Sequence, residues 1–279
     1  KILKKGGVIF HNNFEVGKTK SFNYLKEKHD AILIATGVYK ARELDISKLN
    51  LDQIIPALNF LIASNKKGLG DKVPEFDNGK LNAKDKNVVV IGGGDTAMDC
   101  VRTAIRQNAK SVTCLYRRNK ENMPGSMREV SHAEEEGIKF SWLSVPISFK
   151  SINNHINIKV AKVVLDKTDS SGREMPKTML NNTHLLKADL VIKALGFNPE
   201  NLPKLFNYKN LKVTNWGTVK VDHKTMMTSD KGVFAAGDIV RGASLVVWAI
   251  KDGRDAADSI HKYLLNKNKI NLEKKVSVF

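Results

Sequence analysis

Apolar residues fall into two rhythms along this chain. Four short runs are almost continuously apolar and stop at glycine: residues 30–36 before Gly37, 87–91 before Gly92, 189–195 before Gly196 and 232–236 before Gly237. Runs of this kind, bounded by turn residues, predict short strands buried on both faces. A fifth run, 111–116, ends instead at Arg117 and Arg118. Elsewhere the period becomes that of a helix. Ala97, Met98, Val101, Ala104 and Ile105 recur at helical spacing over 95–107. Residues 125–137 predict another helix, opened by Ser126 and Glu129 as an S-x-x-E capping box and stopped by Gly137. Residues 51–64 predict an apolar helix broken near its start by Pro56 and closed by Gly68 and Gly70. Residues 244–265 predict a C-terminal helix, with the last dozen residues polar and frayed.

Weaker signals fill the gaps. Residues 138–143 read as a strand, and 145–165 as a β-meander turning at Asn153 and Asn154, with a further turn at 169–172. Residues 7–10, 211–214 and 218–221 are β-like. Strands alternating with helices imply an α/β fold around a parallel sheet. Three blocks follow: 1–84, 85–200 and 201–279, the middle one a Rossmann-like nucleotide domain.

Composition narrows the classes. At 42% hydrophobic and 27% charged, the 279 residues are those of an ordinary globular protein of about two domains. The apolar run 243–250 is far shorter than the roughly 20 residues a membrane helix needs, so no membrane partner is expected. The net charge of +17 comes from lysines scattered along the chain without a nucleic-acid motif, so no nucleic-acid partner is expected either. The two cysteines, Cys100 and Cys114, lack C-x-x-C spacing. They read as small buried residues of a cytoplasmic protein, and no metal site is expected. The sequence begins without Met, so a longer gene product is expected.

The chemistry concentrates after residue 87. Gly92, Gly93 and Gly94 follow a strand and open a helix, and Gly92, Gly94 and Ala97 satisfy G-x-G-x-x-G/A. In that setting the pattern marks a dinucleotide site. Gly92 permits the sharp turn, Gly94 lets backbone approach a diphosphate, and Ala97 lets helix pack on strand. Near Asp95, Thr96 and Ala97 the helix offers unsatisfied N–H groups to phosphate. Asp95 is expected to cap the helix and face away from the ligand. Thr96 can donate to a phosphate oxygen. Where a dinucleotide site selective for NAD carries an acid, this chain has Arg117 and Arg118. Two guanidiniums suit a 2′-phosphate, with Lys120 as a helper, and the cofactor expected is NADPH.

Two further segments carry flavoprotein character. Thr36 and Gly37 end one strand, and Gly237 and Asp238 end another, followed by GASLVVWAIKDGRDAA. The latter resembles the C-terminal FAD motif of reductases built from two dinucleotide folds. In that motif Asp238 would accept a ribityl hydroxyl, and the helix start at Ser244 and Val246 would face the flavin. Together with VVVIGGGDTAMDCVRTAIRQ, SVTCLYRR, NMPGSMREVSHAEEEG, DLVIKALGF and ILIATGVYKARE, these residues resemble the small (beta) subunit of bacterial NADPH-dependent glutamate synthase nearly end to end. The resemblance implies an NADPH domain inserted in an FAD domain, the latter incomplete here. It implies hydride passage from NADPH to FAD, and a role in glutamate biosynthesis. Its partners would be a large subunit and a preceding segment bearing iron–sulfur clusters and the first FAD fingerprint. No side-chain acid or base is needed for hydride transfer, so no catalytic residue is assigned. Two alternatives stay open: a related flavin reductase with ferredoxin or another acceptor, and a non-catalytic nucleotide-binding fragment.

Overall fold

The computed structural model describes residues 2–46, 51–153, 155–168 and 174–276. The chain folds as two compact units: Ala41–Gly196, and Lys1–Lys40 together with Phe197–Phe279. The predicted boundary at 84 therefore moves to 40, and that at 200 to 196. The reason lies in residues read as one helix. Ile54–Pro56 is a strand and Ala57–Gly68 is the helix. Pro56 sits extended at their junction, where its fixed φ and missing N–H cost nothing. The strand pairs with Leu190–Lys193, and Ala57, Phe60 and Ala63 bury against the nucleotide fold. Residues 41–84 are thus part of that fold and not a preceding block.

Ala41–Gly196 is built on five parallel strands in the order Ile54–Pro56, Leu190–Lys193, Asn87–Ile91, Ser111–Leu115, Lys139–Ser141. The strand alternation decides what covers each face. Val88 and Val90 point to a helical layer with Ala97, Met98, Val101 and Ala104 of helix Asp95–Arg106. Val89 and Ile91 point the other way, to Ile156, Ile158 and Val160 of an antiparallel sheet. That sheet comprises Ser144–Ile152, His155–Thr168 and Glu174–Ala188. Each Val or Ile so buried contributes about 1.5–3 kcal/mol. The predicted meander contained only the first two strands. The third is mostly polar and half exposed, which hides it from a hydrophobic pattern. Asn153 turns with φ at 50°, while Asn154 and the predicted turn at 169–172 lie outside the described residues. Cys100 and Cys114 are buried thiols, as expected. Burial pushes Cys114 up to about 12 and raises Cys100 further.

One smaller expectation, the capping box, fails here. The Ser126 side chain makes no capping bond to helix Met127–Glu135, and Glu129 instead pairs with Arg102. The arginine of the neighbouring helix is a stronger partner for the carboxylate than a backbone N–H.

The other unit holds a two-stranded parallel sheet, Ile32–Ile34 against Val233–Ala235. Its core gathers Phe22, Phe206, Leu211, Val219 and Ile239, with Phe22 and Phe206 stacked at 5.2 Å. Helix Phe22–Lys28 starts at Ser21, whose hydroxyl accepts the Tyr24 N–H at 3.0 Å. Residues 7–10 are not a strand; Ile9 and Phe10 are exposed, and helix Ile2–Lys5 and a glycine turn precede them. The predicted pair 211–214 and 218–221 reduces to a single bridge between Val213 and Val219. The last helix, Val246–Val276, starts two residues later than predicted and runs to Val276, into the segment expected to fray. Among the described residues no helix is long and apolar enough to cross a membrane.

Candidate nucleotide-binding site

The glycine turn is shaped by what lies behind it. Gly92 adopts φ 150°, and a Cβ there would lie 2.2 Å from the Ala194 carbonyl oxygen. A Cβ on Gly93 would strike the Tyr116 ring at 2.3 Å. Gly94 differs: it is extended at the helix N-cap, and nothing lies within 4 Å of a Cβ built on it. The first two glycines answer to packing, and the third, which lines the cavity, has open space beside it. Ala97 is fully buried between helix and sheet.

Asp95 is the first helical residue and not the cap. Its carboxylate accepts the Ser126 N–H at 3.0 Å, so it ties the turn to the next loop. The Ala97 N–H, also expected to face phosphate, is taken by the Gly94 carbonyl at 2.8 Å. Gly94 has no side chain with which to cap, so the Asp95 and Thr96 N–H groups look to outside acceptors. A phosphate oxygen is a suitable one, favoured by the helix dipole by about 0.3–1 kcal/mol.

The space in front of the turn is a cavity of about 580 Å³, within the usual range for small-molecule sites. It lies at the carboxyl ends of three strands. Gly92, Gly93, Gly94 and Thr96 floor it, Tyr116, Arg117 and Arg118 bound one side, and Ala194, Leu195 and Gly196 the other. Thr96 and Gly196 thus line the same cavity. In an open parallel sheet, this crevice beside the point where strand order reverses is where ligands bind. Here the reversal falls between Asn87–Ile91 and Leu190–Lys193.

The two arginines do not act as equals. Arg117 is exposed, while Arg118 is only 6% exposed and its Nε donates to the Glu174 carbonyl at 2.8 Å. Arg118 fastens the antiparallel sheet to the cavity wall that it also lines, and Arg117 stands exposed at the rim. Lys120 is engaged by Glu134 at 2.8 Å, so the expected helper is already paired.

The sequence reading missed the wall formed by Arg42, Glu43, Leu44, Asp45 and Ile46. The Arg42 N–H bonds the Gly196 carbonyl at 3.0 Å, and Glu43 pairs with Lys193. These residues lie about 50 positions ahead of the fingerprint, with no spacing rule to link them. Tyr116, Pro124 and Ser144 also line the cavity and were not assigned.

The remaining expected residues, Thr36, Gly37, Gly237, Asp238, Ser244 and Val246, belong to the other unit. Thr36 and Gly37 follow strand Ile32–Ile34, and Gly37 has φ 68°. Gly237, φ 76°, caps the short helix Asp238–Arg241, and Asp238 is half-buried. Behind this turn Arg241 grips the buried Asp252 with two bonds of 2.6 Å and stacks on Trp248 at 5.0 Å. That pairing holds the Asp252 carboxyl below its ordinary range, helped by the Gly237 N–H. Ser244 and Val246 are exposed beside Leu245, Val247 and Trp248.

Known proteins align with this arrangement. The chain is 57% identical to the NADPH glutamate synthase small chain of Azospirillum brasilense over 94% of its residues, and 38% identical to that of Escherichia coli over 92%. It covers 55% of each of those relatives. Among solved structures, FprA of Mycobacterium tuberculosis in complex with NADPH superposes with a TM-score of 0.73 at 20% identity, over 92% of this chain and 68% of that one, a likeness of fold. The family description pyridine nucleotide-disulphide oxidoreductase matches residues 3–253, and to that family the chain belongs.

Proposed function

We propose that Ala41–Gly196 binds NADPH and that the chain is a module of a flavin-linked reductase of the glutamate synthase small-subunit type. One observation carries the reading: an open glycine N-cap and an exposed arginine flank the same cavity at the strand ends. The cradle fits the ligand, because a side chain at Gly94 would occupy the space that the diphosphate needs. Helix N–H groups hold the diphosphate, and Thr96 adds a hydroxyl. Arg117 recognises the 2′-phosphate, and Arg118 positions the wall behind it. The bound pair of nicotinamide and flavin supplies hydride transfer, and the protein contributes proximity and orientation without a side-chain acid or base.

Gly237, Asp238 and the start of helix Val246–Val276 would serve FAD, with Thr36 and Gly37 near its strand. Residues 1–279 contain one glycine fingerprint, so the FAD diphosphate requires a second cradle from outside them. A large glutamate synthase subunit is the partner this reading names, and the buried thiols agree with a reducing cytoplasm. Titration of the purified chain with NADPH and NADH tests the nucleotide half. NADPH should bind more tightly, and equal affinity would overturn the assignment of Arg117. Stoichiometric FAD retained by the chain alone would contradict the incomplete flavin site. Glutamate formation on adding the large subunit, together with the family's preceding segment, tests the pathway.

A further inference from the structure

The cavity has two ends, and only one of them is explained by the fingerprint and the arginines. Strand Ser111–Leu115 leads to Arg117 on one side of the central strand Asn87–Ile91, and Leu190–Lys193 leads to Gly196 on the other. Neighbouring strands lie about 4.8 Å apart, so these two strand ends are separated by about 10 Å. A dinucleotide whose diphosphate sits over the central turn, with its adenosine at Arg117, must lay its other nucleoside toward Gly196. There the wall carries both signs, with Arg42, Glu43 and Asp45 all lining it. It presents Glu43, whose side chain is 64% exposed, paired to Lys193, whose side chain is 8% exposed.

A carboxylate beside a bound polyanion is unfavourable unless its charge is matched. Lys193 supplies that match from the end of the strand, and buried charges require such a partner. One ion pair uses a fraction of a carboxylate's four lone-pair sites, so Glu43 keeps acceptor capacity toward the cavity it lines. The result is an acceptor of near-zero net charge. The nicotinamide riboside half of NADPH offers what such an acceptor needs: two ribose hydroxyls and a carboxamide NH₂.

Resting on the NADPH reading above, we infer that Glu43, neutralised and held by Lys193, is the group that binds and orients the nicotinamide riboside end. Glu43 is a positioning residue for the reactive ring, and the 2′-phosphate end is independent of it.

Calorimetric titration of the 279-residue chain with NADPH and with adenosine 2′,5′-bisphosphate, which lacks the nicotinamide riboside, tests this. Glu43→Gln should weaken NADPH about tenfold, the loss of one charge-assisted bond, and change the bisphosphate by less than about twofold. Arg117→Ala should weaken both ligands. Lys193→Met leaves the carboxylate charge unmatched, and its loss of NADPH affinity should shrink as salt rises. Equal weakening of both ligands by Glu43→Gln, no weakening of either, or transfer of the effect to Asp45→Asn overturns the inference. If the wild-type chain binds neither ligand, or Arg117→Ala changes neither affinity, the nucleotide reading fails and this inference falls with it.

Discussion

The two units use the same device, a parallel strand stopped by glycine, to different extents. In Ala41–Gly196 five parallel strands are covered on both faces, and the glycine turn opens onto a cavity walled by three strand ends. In the other unit two strands of three residues pair, and the apolar start of the following helix, from Leu245 to Ile250, is exposed. Parallel strands gain most of their stability from burial on both faces. A five-stranded sheet meets that condition and can support a rigid site. A two-stranded one leans on aromatic stacking, on Lys26 bonded to both Tyr208 and Asp230, and on the Arg241–Asp252 pair.

The sharpest way to break the contrast is steric. Gly92→Val places side-chain carbon against the Ala194 carbonyl and should destabilise Ala41–Gly196 by about 4 kcal/mol or more, abolishing NADPH binding in calorimetry. Gly17→Ala makes the matching test in the other unit, since its Cβ would lie 2.0 Å from the Leu205 oxygen. It should lower that unit's melting temperature, read by circular dichroism.

A somewhat smaller effect is expected from the charge pair. Asp252→Asn removes the charge of a buried carboxylate whose partner Arg241 is 37% exposed and screened by solvent, and should cost about 1.5–3 kcal/mol. The sign with pH is fixed by the depressed carboxyl. The pair's contribution is complete above the ordinary carboxylate range and is lost as pH falls through the lowered value. Acid unfolding followed by tryptophan fluorescence at Trp248 should move to higher pH in Asp252→Asn, and an unchanged midpoint would remove the pair from the account.

Next comes the division between the arginines. Arg117→Ala should weaken NADPH by about 10–100-fold and NADH by less than about twofold. Arg118→Ala should mainly lower the melting temperature, because its Nε bond to Glu174 is structural. Parallel losses of cofactor selectivity in both variants would restore a paired-guanidinium site. The least change is expected from thiol chemistry. Cys114, pushed up to about 12 by burial, and Cys100 should resist alkylation at neutral pH until the chain is unfolded.

Much of the nucleotide unit was legible because its determinants are local. Strand Asn87–Ile91 and its helix follow from β-branched residues, three glycines and a 3.6-residue period within 20 positions. Pro56 was misread since a proline between apolar runs suits a helix interruption and a strand end equally. The Ser126 capping box failed because Arg102, 27 positions before Glu129, claims that carboxylate. Spacing marks Arg118 as a candidate ligand group, but its Nε bond to the carbonyl of Glu174, 56 positions on, follows from no local pattern. Glu43 and Lys193 are 150 positions apart, beyond any pattern a single sequence displays.

The antiparallel sheet that covers one face of the parallel sheet has a kinetic consequence. Its strands follow one another closely in sequence and can pair early, whereas Leu190–Lys193 emerges from its last strand and must slot between Ile54–Pro56 and Asn87–Ile91. The segment Ala194–Gly196 follows that strand, so one side of the crevice is assembled at the end of folding. Stopped-flow refolding should therefore show ligand capture lagging behind the recovery of far-ultraviolet ellipticity.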